Sequence, residues 1–433
     1  MQRIAQMFLL SLLTATLLSA CDHTPAPGEP VRLRFWHAWG GHEGRAVQAL
    51  VDEFNATHPG IVVEASQFTI GDKLLASIAG GKPPDIATVW AYMLTPMGES
   101  GAFLPLNDYM TSSGYTQDDY LPNVWDYGLY SENRWGVPTT LNVLAIFAID
   151  KLVRDAGLDP QSPPATTDEL RAWSEKLLRR SPTGDIQTLG FVPTQTDIWF
   201  RAFGGDVFDS SEHVFIMDSP ENLAALNWMN DLTQHAGGMA TYRRFTAQYG
   251  KLDSPANPLF MDKLALKEDG QWVVCFFERF APQIEYSIFP YPPSEPGADQ
   301  IAKLDGSFWA IPTGTKHPDE AWTFLSWMIA PPQNARLCAA MLNVPPMRAT
   351  LDEPAFATAR QNEKFEIFVQ LLAQGMAKPQ PATPVSEQLY DKLEAGSQRV
   401  FSGSISPADL LKELDADLNA ELERTNSLLG TGQ

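Results

Sequence analysis

The chain has 433 residues, enough for two hydrophobic cores and too many for one ordinary domain. Its 52 acidic and 31 basic residues leave a formal charge of -21, which argues against nucleic acid and anionic lipid surfaces as partners, because both demand a basic footprint.

The first residues belong to neither core. Arg3 precedes the apolar run Met7–Leu18, too short to span a bilayer as a helix and suited to a signal-peptide core, so residues 1–20 are expected to be cleaved. Losing Arg3, with no acid removed, takes the charge from -21 to -22. Leu18-Ser19-Ala20-Cys21 resembles the lipobox of bacterial lipoproteins, which implies acylation of Cys21 and a membrane anchor in which each buried methylene adds about 0.8 kcal/mol. Asp22 resembles the enteric signal for retention at the inner membrane. Residues 21–30 then form a lipidated tether, since His23–Pro30 shows no apolar period. Cys275 and Cys338 remain, either as one bridge or as free thiols, and Cys275 lies in the apolar run Trp272–Phe277.

Val31–His37 alternates in character and predicts a strand, closing in the cluster Trp36, His37 and Trp39 before Gly40-Gly41. An amphipathic helix follows on Ala46, Val47, Leu50, Val51 and Phe54, stopped by Pro59-Gly60. Ile61–Ala65 is a second strand, Leu74, Leu75 and Ile78 mark a short helix, and Asp85–Val89 is a third strand ending at Trp90 and Tyr92. Three βα units in a row predict a parallel sheet. At the carboxyl ends of such strands the loops diverge and helix N–H groups point into the crevice, so these aromatics are candidate ligand contacts. Core packing is the competing reading for each ring.

Farther on, Leu141–Ile149 is an apolar run long enough to pass from one sheet into another. Thr166 with Glu169 fits a capping box, and Ser219-Pro220 and Ser406-Pro407 fit helix starts, the last helix carrying Leu410, Leu411, Leu414 and Leu418 on one face. Trp322 and Trp327 share helical spacing with Phe324 and Leu325 and are assigned to core.

Common catalytic signatures are missing: there is no G-x-S-x-G, H-E-x-x-H, C-x-x-C or G-x-G-x-x-G, and Gly81-Lys82 is followed by Pro83 where a phosphate loop needs Ser or Thr. Asp118-Asp119 is the kind of acid pair a glycosidase uses, but adjacent side chains diverge. His37 and His42 have no ligand partner at metal spacing. What stands out is aromatic content at predicted loop and strand ends, including Trp199, Phe308 and Trp309. A sugar ring packs its C–H face on such rings while its hydroxyls need fixed polar partners.

Phe35-Trp36-His37, Phe54–Val63, Gly80–Ile86 and Gly101–Leu106 resemble the N-terminal lobe of extracellular solute-binding proteins of the maltose type that serve ABC importers. Trp135–Pro138, Ala156–Pro160, Phe203–Asp206, Gly270–Trp272 and Ile311–Pro318 extend the resemblance over nearly the whole mature chain. It implies an α/β, two-lobed periplasmic-binding-protein fold of type II, each lobe a mostly parallel sheet flanked by helices, with discontinuous domains joined by hinge crossings. The implied lobes are residues 31–143 plus about 300–343 and residues 144–299 plus 344–433. By position, the resemblance ranks as ligand contacts Trp36, His37 and Trp39, then Trp90 and Tyr92, Gly204 and Gly205, Gly270 and Trp272, with Arg348 after the last crossing as a further candidate. Val273–Phe277 is more apolar than the usual continuation of that element.

The expected function is that of a substrate-binding lipoprotein, not an enzyme, that captures a mono- or oligosaccharide between its lobes and delivers it to an ABC permease and its ATPase. It is expected to act as a monomer at the extracytoplasmic face of the membrane, without metal or cofactor. Three other readings stay open. One is a non-sugar solute such as glycerol-3-phosphate or a glycerophosphodiester, which a cluster of Arg or Lys would favour. Another is a glycosidase-like enzyme with two facing carboxylates, and the third is a sensor subunit reporting to a membrane kinase.

Overall fold

The computed structural model describes residues 29–68, 71–251 and 254–430, so the leader, Cys21 and most of the tether lie outside the described residues. Among the described residues no helix is long and apolar enough to cross a membrane. Eight strands form one connected sheet: β1 (Val31–His37), β2 (Ile61–Gln67), β3 (Ile86–Trp90), β4 (Val137–Ile149), β5 (Leu266–Gly270), β6 (Tyr286–Phe289), β7 (Ala302–Ala310) and β8 (Ala377–Pro379).

The three βα units do what their pattern predicts, since β1 lies between β2 and β3 and runs parallel to both. From β3 onward the sheet differs from a parallel one. β7 runs antiparallel to β3 and β4, and β5 and β6 run antiparallel to β4; β8 alone joins this half in parallel, beside β7. The reason is topological. A parallel neighbour needs a crossover connection, whereas β4 leaves the first half of the sheet and β7 returns to it, so the two passes must oppose each other. In place of one sheet per lobe there is a single sheet whose halves are continuous through β4. The first part of β4, Val137–Leu144, pairs with β7, and the second, Leu144–Ile149, pairs with β5 and β6.

β4 is almost wholly apolar because both its faces are covered; of its 13 residues only Asn142 is not buried. A third pass lies beside it, where Leu141 and Val344 exchange backbone hydrogen bonds at 2.8 and 3.0 Å. Phe324 packs edge-on against Phe35 at 5.6 Å and Trp327 against Phe54 at 5.4 Å, while buried Trp322 stacks on Tyr109 at 5.4 Å. The helix starts also hold: Thr166, Ser219 and Ser406 each accept a backbone N–H three residues on. Cys275 and Cys338 are free, and burial pushes the Cys338 thiol far above its usual range.

Candidate functional site

The strand ends of the first half form one wall. Trp36 alternates to the opposite face of β1 from buried Phe35 and His37, and its half-buried ring stacks on Phe68 at 3.8 Å and 15°. The Gln67 amide folds over Gly40, where a methyl group would come within 2.7 Å of Nε2. Half-buried Trp90 ends β3, and Tyr92, two residues on in the helix Ala91–Glu99, stacks on Tyr390 of the helix Ser386–Phe401 at 5.2 Å and 16°. These two rings come from segments almost 300 residues apart and tie the helix after β3 to the helix Ser386–Phe401.

The other wall carries Trp272. Its indole lies against the Cα of Gly270, so close that a Cβ there would sit 2.1 Å from the ring; glycine is required for this tryptophan to fold back. The register aligns Gly270, Leu144 and Lys303 across β5, β4 and β7, and pairs Asn142 with Asp305 two residues along. Because side chains repeat every second residue, Lys303, Asp305 and Asn142 share the face that Trp272 covers. Glu43, in the first turn of the helix that follows Trp39, is within electrostatic reach of Cys275, one turn beyond Trp272. Burial raises the Glu43 pKa, with His42 opposing.

A cavity of about 230 Å³ opens beside this face. Thr194, Gln195, Thr196, Gln380 and Gln398 bring hydroxyls and amides to it, with the Tyr390 ring and the Glu394 carboxylate. Its cation is committed: Lys303 Nζ donates to Asp197 Oδ1 at 2.8 Å and Gln195 Oε1 at 2.9 Å. Burial works to raise the Asp197 pKa, but Lys303, Arg201 and Gln380 outweigh it and hold the carboxyl below its usual range. Burial raises the Asp305 pKa, with Lys303, the Gly306 N–H and the Tyr127 hydroxyl opposing, and its charge reaches the hydroxyls of Tyr92 and Tyr390. A larger groove of about 700 Å³ shares Gln380 and Pro381 with the cavity, but its cations are already engaged, Arg201 with Asp206 and Pro379 O, Lys378 with Gly375 O.

Two candidate platforms are core instead. Trp199 and Trp309 have no exposed surface; Trp199 Nε1 donates to Glu268 and its ring sits 4.5 Å from Trp228, and Trp309 Nε1 donates to Thr88 Oγ1 at 3.1 Å. Sequence alone could not separate them from cleft rings, because burial of tryptophan depends on distant partners. Trp39 and His37 are also buried, at 6% and 5% exposure, and burial lowers the His37 pKa, partly offset by a backbone hydrogen bond at Trp39. Gly204 takes a positive φ of 84° in a turn, and Gly205 is pressed against Asn222, where a Cβ would lie 2.2 Å from Oδ1; both have local reasons to be glycine. Arg348 is exposed at the start of a 3₁₀ turn. Asp119 of the acid pair caps the turn Gln117–Asp119, accepting from Thr116 N at 2.7 Å. Among the described residues no group of His, Cys, Asp or Glu is arranged to hold a metal ion. Tyr390, the Lys303–Asp197 pair, Asn142 and Asp305 were not singled out from the sequence, although Asn142 is legible as the lone amide in the run Leu141–Ile149.

The sequence profile of the bacterial extracellular solute-binding proteins matches residues 38–335. The chain is 23% identical over 335 residues to a maltotriose-binding protein of Pyrococcus abyssi, covering 74% of this chain and 67% of that one. It is also 23% identical over 299 residues to the sn-glycerol-3-phosphate-binding periplasmic protein of Pectobacterium atrosepticum, 64% of each chain. Among solved structures, CpMnBP1 with mannobiose bound superposes with a TM-score of 0.77 at 26% identity, covering 89% of this chain and 99% of that one. The sugar-binding protein MalE of Xanthomonas citri gives 0.75 at 20% identity, covering 93% and 100%. The architecture is therefore two-lobed, its shared sheet passing from lobe to lobe, and the chain belongs to the bacterial extracellular solute-binding protein family.

Proposed function

We propose that the chain is the sugar-capturing subunit of an ABC importer, held at the extracytoplasmic face by acyl chains on Cys21. The observation that carries this reading is the lining of the 230 Å³ cavity, where the hydroxyls of Thr194 and Thr196 and the amides of Gln195, Gln380 and Gln398 share the wall with the Tyr390 ring, the Lys303–Asp197 pair and Glu394. That mixture suits a polyol, whose hydroxyls need donors and acceptors at the rim and whose C–H face packs on an aromatic ring. The maltotriose-binding and mannobiose-bound relatives support it.

The relatives that bind sn-glycerol-3-phosphate suggest a second solute. A phosphomonoester carries about -1.5 to -2 charge near neutral pH and needs uncommitted cations. Lys303 is neutralised by Asp197, and Asp305 and Glu394 add negative charge nearby, so a neutral sugar is favoured. In this reading residues 31–143 with about 300–343 form one lobe and residues 144–299 with 344–433 the other. Ligand draws them together by rotation about the passes of β4, β7 and residue 344, with Trp36, Trp90, Tyr92, Trp272 and Tyr390 lining the cleft. The closed form is what a permease would recognise, and no catalytic step is needed.

The test is thermal shift and tryptophan fluorescence with mannobiose, mannotriose, maltotriose and sn-glycerol-3-phosphate. At a hundredfold excess over Kd, a bound ligand stabilises by about 2.7 kcal/mol. A neutral oligosaccharide should produce the shift and the phosphate should not. A response to the phosphate alone overturns the reading.

A further inference from the structure

Gln271 lies between Gly270 and Trp272 and is completely buried, yet its side chain serves neither of them. Its Oε1 accepts from the Val143 backbone N–H at 2.9 Å. Its Nε2 donates to Asn142 Oδ1 at 3.0 Å and to Asn343 Oδ1 at 2.8 Å. One amide thus joins the strand β4 to the pass at residues 343–344, next to the tryptophan that covers the cleft face.

The consequence lies in Asn142. An asparagine amide has an acceptor end and a donor end, and whichever end is taken by a neighbour fixes the direction of the other. With Oδ1 held by Gln271, the Nδ2 donors are left over, and they have no protein partner among the described residues. Asn142 is the unburied residue of β4 and sits in register beside Asp305. Asp305 uses Oδ1 for the Gly306 N–H at 2.7 Å and lies 3.5 Å from the Tyr127 hydroxyl, leaving Oδ2 without a partner among the described residues. A donor and an acceptor therefore stand side by side on the face that Trp272 covers.

We propose that Asn142 and Asp305 form a donor–acceptor pair for adjacent hydroxyls of a sugar ring, and that Gln271 is the positioning residue that aims the Asn142 amide. The inference rests on the sugar reading above and deepens it by naming a vicinal diol as the element recognised. It also places the contact on the strand that both lobes share, so binding there bears directly on closure.

The experiment is a double-mutant cycle read by calorimetric titration with mannobiose, with the melting temperature followed in parallel. Asn142→Ala should weaken binding about tenfold, the order expected for one well-placed hydrogen bond. Gln271→Met, close in shape but without the amide, should weaken it about as much in the wild-type background and by less than about twofold in the Asn142→Ala background. Gln271→Glu keeps the acceptor for Val143 but lacks the donors, and carries the same comparison should Gln271→Met fail to fold. Independent losses that multiply to about a hundredfold in the double variant overturn the proposal, as does a Gln271 variant with a lowered melting temperature and unchanged Kd. Failure of mannobiose, mannotriose and maltotriose all to bind the wild-type protein instead removes the sugar reading, and this inference with it.

Discussion

Glu268 offers the most quantitative test of the packing around the site. It sits in β5, accepting from Thr194 N at 2.6 Å, Thr194 Oγ1 at 2.7 Å and Trp199 Nε1. Burial is the largest influence and raises its pKa from 4.5 to about 7, despite the three donors and Lys303, which act to lower it. A carboxyl whose folded pKa is raised keeps its proton in the native state where the unfolded chain has already lost it. Its contribution is therefore fully present below about pH 4.5 and declines as pH rises toward 7. A difference of about 2.5 units at ~1.36 kcal/mol each amounts to roughly 3 kcal/mol. With an unfolding entropy of about 2.1 cal/mol/K per residue, a chain of this size would lose about 4 °C in Tm through this one group. Glu268→Gln keeps an acceptor for Thr194 and cannot ionise, so subtracting its Tm curve from that of the wild type between pH 4.5 and 7 isolates the slope. Two parallel curves would refute the account, whatever their constant offset.

The two classes of tryptophan should separate cleanly. Trp199→Ala is expected to cost about 3–5 kcal/mol of stability, measured by denaturant unfolding, because it empties a filled core position and removes a donor from Glu268. Trp272→Ala should instead weaken mannobiose about tenfold with little change in Tm, in line with the worth of an aromatic contact. Gly270→Ala forces a Cβ into the space of the Trp272 ring and should reproduce that loss of affinity; unchanged binding would mean that the ring position is irrelevant to ligand. Cys21→Ser should move the protein from the membrane fraction to the soluble fraction, and retention in the membrane would exclude Cys21 as the anchor.

Features set by neighbours in the chain were legible in the sequence. Thr166, Ser219 and Ser406 act within one helical turn, and each caps the helix it was expected to cap. The parallel run of β1 to β3 follows from three successive βα units. What could not be read depends on partners far away. Lys303 meets Asp197 across 106 residues, and Gln271 meets Val143 across 128, so no periodicity or motif announces either. Trp309 looks like Trp90 in sequence, as a ring near a strand end, and differs only because Thr88 and Phe35 close around it. The antiparallel joints of the sheet escaped for the same reason, since they depend on the direction in which a distant strand returns.

The late arrival of β7 governs how the chain can be made. β3 receives its outer neighbour only when residues 307–310 reach residues 87–90, and the first part of β4 waits for the same strand. Until about three hundred residues have been synthesised, two apolar strands, one of them 13 residues long, therefore have an open edge, and closing so large a loop is slow. A nascent chain in that condition has no finished body. The interleaving of the two halves thus postpones cooperative folding until most of the chain has been made.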